Sequence, residues 1–236
     1  SIILIIEQLA ALSSTKDSDN DGIVDSDEGY SDSDSDGIAD YLDNDSNTSR
    51  LPSANNIEPL QTSPGLTLSL GSLVRALHGA NGQNASLTAD DLSKIVGENA
   101  ADTQDKHFSA ISPLYNFIIS DLPNQGMSVA IIIPLEKGVS LPSGAMYRKY
   151  NVVNGWYTFI EDAKNSVSSA QVDINGNCPA ANDVTYNLGL AEGDNCIQLF
   201  IEDGGANDTD FSSNGSIEDP GVVVVELQNQ LPVINI

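Results

Sequence analysis

The chain has 236 residues, with 34 Asp and Glu against 9 Lys and Arg and a formal net charge of −25. That balance argues against nucleic acid or an anionic membrane as partner, because phosphate surfaces attract Lys and Arg and repel carboxylates. Cations are the natural partners, and the length allows one large all-β domain or a domain with an appended module.

The first element is "SIILIIEQLAAL", residues 1–12. It lacks the basic flank and initiating Met of an intact signal peptide, and no run of about 20 apolar residues exists to span a membrane. Ile2, Ile3, Leu4, Ile5 and Ile6 read as a strand buried on both faces, and such a strand must be covered or it aggregates. One expectation is insertion into a groove of a neighbouring copy, which would build a homo-polymer head to tail by strand complementation.

Residues 17–45, "DSDNDGIVDSDEGYSDSDSDGIADYLDND", hold twelve of the acidic side chains and no Lys or Arg. They fit the calcium-loop template D-x-[DN]-x-[DN]-G-x5-E twice, with alternate carboxylates pointing at one ion and a Gly permitting the sharp turn. The first copy offers Asp17, Asp19, Asp21, the carbonyl of Ile23, Asp25 and Glu28. Fifteen residues later the second offers Asp32, Asp34, Asp36, the carbonyl of Ile38, Asp40 and Asp43. A disordered acidic tract has no reason to repeat Gly-Ile-x-Asp after the third alternate Asp. Calcium suits six or seven oxygens on a flexible loop better than magnesium, which keeps several waters. Zinc lacks its usual ligands, since neither His nor Cys precedes His78.

A helix-loop-helix hand needs an amphipathic helix on each side, and "EGYSDS" supplies none. The tandem, helix-poor arrangement over residues 16–46 instead resembles the thrombospondin type 3 repeat, whose chain winds around a row of calcium ions. The resemblance implies that Asp27 and Asp45 bridge adjacent ions, and two units imply a short rod or staple. Without divalent ions the carboxylates repel and the segment is expected to be loose; with them it stiffens. Extracellular calcium modules bind at roughly 10⁻⁴ to 10⁻³ M.

After the polar loop "NTSRLPSANN", short apolar runs closed by Gly, Pro, Asn or Asp read as strands. In order they are "IEPLQT", "LTLSL", "YNFIIS", "SVAIIIPL", "AMYRKYN", "GWYTFI", "SAQVDI", "VTYNLGL", "NCIQLFIE" and "GVVVVEL". Ten such strands predict an all-β, immunoglobulin-like antiparallel sandwich. Only "SLTADDLSKIV" reads as a helix, with Thr88 as N-cap and Asp91 three residues on. A disulfide between Cys178 and Cys196 is expected, with two buried thiols as the alternative.

The block "MYRKYN", "GWYTF" and "GNCPAANDVTYNLGLAEGDNCIQLFIEDGGANDTDFSSNGSIEDPG" resembles a bacterial surface module, the choice-of-anchor U domain, over about residues 57–226. The resemblance implies a secreted protein of the cell surface, in a family that sits before varied sorting signals and often beside calcium repeats. It supplies no catalytic residues. The final "LPVINI" does not read as a sorting signal.

Within that block Asp203, Asn207, Asp208, Asp210, Asn214 and Asp219 are interleaved with Gly and Ser and make a second candidate metal site, the alternative being an acidic loop. Tyr147, Tyr150, Trp156 and Tyr157 read as packing and not as a carbohydrate platform, and Arg148 and Lys149 as partners for carboxylates. No H-E-x-x-H, G-x-S-x-G or phosphate-cradling loop occurs, so no enzyme is expected. The organisation predicted is an apolar segment over 1–14, calcium repeats over 15–48 and a sandwich over 49–236. The function predicted is that of a secreted, extracellular calcium-binding structural protein, either a self-assembling filament subunit or a rigid adhesion or spacer module beside neighbouring surface-protein domains. A carbohydrate-binding module is the remote alternative.

Overall fold

The computed structural model describes residues 9–54, 57–96 and 102–227. The expected donor strand, Ile2 to Ile6, lies outside the described residues. The acidic segment carries one helical turn, α1 (Asp25–Glu28), and one 3-10 turn over Asp40–Leu42. Then follow β1 (Arg50–Leu51), β2 (Leu60–Thr62), β3 (Thr67–Leu70), α2 (Ser72–His78), β4 (Ser86–Leu87), α3 (Ala89–Val96), β5 (Phe108–Ala110), β6 (Leu114–Ser120) and β7 (Ser128–Pro134). The chain closes through β8 (Ala145–Asn151), β9 (Gly155–Thr158), β10 (Ser166–Ala170), β11 (Asn187–Leu188), β12 (Cys196–Glu202) and β13 (Ile217–Glu226).

These strands form two antiparallel sheets, an all-β sandwich. The first sheet runs β1-β2-β7-β12-β10-β11 and the second β3-β6-β13-β8-β9, with β4 also on β6 and β5 on β13. Side chains alternate across a strand, so one face of each strand can be apolar throughout. Val129, Ile131 and Ile133 on β7 join Ile197, Leu199 and Ile201 on β12, and Tyr115, Phe117 and Ile119 on β6 pack in the same core.

The opposite face of β12 is covered as well. Cys196 forms the disulfide with Cys178, and Asn182 donates its amide to Gln198 Oε1 at 2.7 Å and its Nδ2 to Ser63 Oγ at 3.0 Å. Residues 171–186 thus lie as a strap across the first sheet. This strap explains two departures from the sequence reading. The strand expected at "SAQVDI" is instead β10, which pairs with β12 from Ser166 to Ala170 and stops where the strap begins, and "VTYNLGL" contributes only the two residues of β11.

A second correction concerns helices. The capping box of α3 forms: Thr88 Oγ1 accepts the Asp91 amide at 3.1 Å, and Asp91 Oδ2 accepts the Thr88 amide at 3.1 Å. But α2, read as non-helical, is also a helix. Its first amides are satisfied from far away, Ser72 donating to Glu218 Oε1 at 2.7 Å and Leu73 to Asn116 Oδ1 at 2.8 Å. A Cβ on Gly71 would lie 2.2 Å from Asn116 Cγ, so glycine is required by that approach.

Candidate metal centre

Each acidic loop closes on itself, and the two share all but one of their bonds: Asp17 takes the amide three residues on, and Asp32 the one four residues on. Asp17 accepts the amides of Asn20 and Gly22, at 2.7 and 3.0 Å, and Asp32 those of Asp36 and Gly37, both at 3.1 Å. Asp19 and Asp34 each accept the amide two residues on at 3.2 Å, and Asp21 and Asp36 do the same at 2.7 Å, from Ile23 and Ile38. Such Asx turns aim successive carboxylates at one side. Both loops put a non-glycine residue, Asn20 and Ser35, at φ 66° and 67°, and glycine at φ 100° and 93° two residues later. Ligand oxygens of Asp17, Asp19 and Asp21, and separately those of Asp32, Asp34 and Asp36, all lie within 4.8 Å of one another.

Asp25 and Asp40, both expected as ligands, also brace their loops. Asp25 accepts the Ser18 amide at 2.8 Å and hydroxyl at 2.9 Å, and Asp40 accepts the Ser33 amide and hydroxyl, both at 2.8 Å. Sequence reading overlooked these serines, although their recurrence at the same fifteen-residue offset was there to find.

The electrostatics separate the loops. Asp34 and Asp36 are buried, and Asp34 Oδ2 and Asp36 Oδ2 have no hydrogen-bond partner. Burial, then the charges of Asp43, Asp34 and Asp32, pushes Asp36 up to about 8. Burial, then Asp34, Asp45 and Asp19, pushes Asp43 up to about 7. In the first loop Glu28 is raised by burial and by the charges of Asp19, Asp21 and Asp17. Glu28 Oε2 and Asp19 Oδ2 are likewise buried without a partner. Asp45 forms an ion pair with Arg50 at 2.9 Å while its charge also reaches Asp34, and Asp27 stays exposed.

The loops are tied together and the second is tied to the sandwich. Tyr30 meets Tyr41 edge to face at 5.2 Å, and Asn44 Nδ2 donates to the Asp19 carbonyl at 3.2 Å. Leu70, at the end of β3, donates its amide to the Asp36 carbonyl at 2.7 Å, and the Ile38 side chain is buried in the core at 1 % exposure. Ile23, its counterpart, is 49 % exposed.

Comparison with protein-family models, curated proteins and solved structures finds no match.

The second acidic set is spent on loop closure. Asp203 accepts the amides of Gly126, Asn214 and Gly215, and Asp208 those of Gly204 and Glu218. Asn207 exchanges two bonds with the backbone of Ile160, and Asp210 accepts the Ser212 amide and Asn214 Nδ2. Asp219 pairs with Lys149 at 2.8 Å. Among the described residues only the two N-terminal loops bring three or more carboxylates together at ligand distance. Elsewhere Arg148 pairs with Asp105 at 2.7 Å and stacks over Phe108 at 4.4 Å, while Tyr147 and Tyr150 are buried. Trp156, packed on Tyr150, borders an open groove of about 800 Å³ that it shares with Leu87, Phe108, Val222 and Val224.

Proposed function

We propose that the protein is a calcium-stiffened structural module of the extracellular surface, in which tandem carboxylate loops set the residues before the sandwich in a fixed position on it. The observation that carries this reading is the pair of buried, unpartnered oxygens on Asp34 and Asp36, which converge beside Asp32 with Asp43 close by. Carboxylates gathered out of water without a cation disfavour their own ionised state, and a divalent ion reverses that cost by replacing water with ligand oxygens. An all-oxygen donor set on a loop with left-handed turns suits calcium. The resemblance to calcium repeats and to a bacterial surface module, and the disulfide Cys178–Cys196, support an oxidising, calcium-rich setting.

Docking of the second loop through Ile38 and Asp36 supports the rigid spacer or adhesion role over a freely swinging linker. The test is terbium luminescence and calorimetric calcium titration of the full chain, with Asp34→Asn and Asp21→Asn as single-loop variants. Saturable binding that loses one class of site in each variant supports the reading. No saturable binding at millimolar calcium refutes it.

A further inference from the structure

Lys149 and Asp219 face each other inside the sandwich, both with 0 % exposure, at 2.8 Å from Nζ to Oδ1. Lys149 stands opposite Gly221 on the β8–β13 ladder, and Asp219 lies two residues along β13 on the same face. Phe117 is the cross-strand neighbour of Asp219 on β6, and the Tyr147 hydroxyl lies 3.5 Å from Asp219 Oδ1. That ring occupies the space a side chain at 221 would need, since a Cβ there would come within 2.3 Å of the Tyr147 oxygen. Lys149 also donates to the Asn207 carbonyl.

A buried ion pair offsets its desolvation only when its other lone pairs and protons are satisfied. Here Asp219 Oδ2 has no partner. Burial drives Lys149 down and Asp219 up from their ordinary values, both toward the uncharged forms. One proton passing from Nζ to the carboxylate along the existing contact converts the pair to an amine beside a carboxylic acid, with no proton leaving the site.

We infer that Lys149 and Asp219 condense to an isopeptide bond that joins β8 to β13 within the core. The Nζ lone pair attacks Cγ of the protonated carboxyl, the C–OH bond breaks, and an Nζ proton leaves with the hydroxyl as water. The product is a secondary amide, and no oxidant, reductant or activated co-reactant enters. Holding the two groups in contact supplies the effective concentration, which reaches about 10⁵ M or more for well-oriented intramolecular reactions, that bulk water denies to such a condensation. The amide also removes both buried charges while keeping a donor for the Asn207 carbonyl.

Intact mass spectrometry of the full chain, purified folded and then denatured with its disulfide reduced, reads the bond directly. The expected mass falls short of the sequence by one water, and digestion yields a branched peptide containing Lys149 and Asp219. Asp219→Ala is expected to restore the full mass for its sequence. Because a lone buried charge can prevent folding, the paired variant Lys149→Met with Asp219→Leu provides the folded control, also at full mass. A wild-type chain at its full sequence mass after prolonged incubation in the folded state overturns the inference. So does a water loss that maps to any other residue.

Discussion

The Asp36 carbonyl accepts the Leu70 amide at 2.7 Å, so a carboxylate-bearing residue of the second loop is also a backbone partner of the sandwich's edge strand β3. Ile38, two residues on, is buried in the core. Cation binding at Asp32, Asp34 and Asp36 should therefore raise the melting temperature of the whole domain. An ion at about 100 times its dissociation constant adds about 2.7 kcal/mol. Calorimetry with calcium and with chelator measures the difference, and Asp34→Asn should abolish most of it. Asp21→Asn should leave the sandwich's melting nearly unchanged and instead open residues 17–30 to protease.

Stability of the cation-free protein should depend on pH in a defined direction. Burial lifts Asp36 to about 8 and Asp43 to about 7 from an ordinary 3.8, so between those limits the folded chain holds protons that the unfolded chain releases. Their contribution is fully present below the unfolded value and is lost as pH rises through the folded ones. Melting temperature in chelator should fall from about pH 4 to about pH 8. Saturating calcium should flatten the slope by displacing those protons, and unbuffered titration should detect their release. An unchanged melting temperature in chelator across that window contradicts the assignment.

At α3 the sign reverses. Hydrogen bonds from Thr88 and Lys94 hold Asp91 at about 2, below its ordinary 3.8, so its contribution is present above the unfolded value and lost as pH falls through the folded one. Thr88→Ala removes the hydroxyl that accepts the Asp91 amide and donates to the Asp91 carboxylate. Chemical denaturation at neutral pH should show a loss of about 1 kcal/mol, the usual cost of an N-cap.

The disulfide closes a sequence separation of 18 residues. A loop of about that length yields about 3 kcal/mol in the chain-entropy account. Replacing Cys178 and Cys196 together with Ser should lower stability by a comparable amount in denaturant titration. Limited proteolysis should then cut first within residues 171–186, because the strap keeps hydrogen bonds such as Asn182 to Gln198 and partly buried side chains such as Tyr186 but loses its covalent tie. Cutting elsewhere first would mean that the strap has other anchors.

How much of this was legible in the sequence depended on distance along the chain. The acidic loops were, because every bond from Asp17 to Ile23, and again from Asp32 to Ile38, spans five residues or fewer. So were α3, capped from three residues away, and the inward alternation of β7 and β12. What failed was decided from afar. α2 carries no cap of its own and borrows Asn116 and Glu218. The acidic side chains of residues 203–219 looked like ligands because turn residues and ligands share a composition, and only the fold showed them holding Gly126, Ile160 and Lys149.

Ile23 and Ile38 occupy the same place in two loops that share all but one of their bonds, yet one is open to water and the other sealed in the sandwich. A unit that completes its own geometry asks nothing of the surface it stands on. Such a unit can be copied by simple duplication, each copy advancing the chain by one fixed step, and only the copy touching a neighbour has to find a socket for its isoleucine. Attachment then falls to the copy that meets the sandwich, through the buried Ile38 side chain, the Asp36 carbonyl and the Asp45–Arg50 ion pair, while the other copy keeps its isoleucine in water.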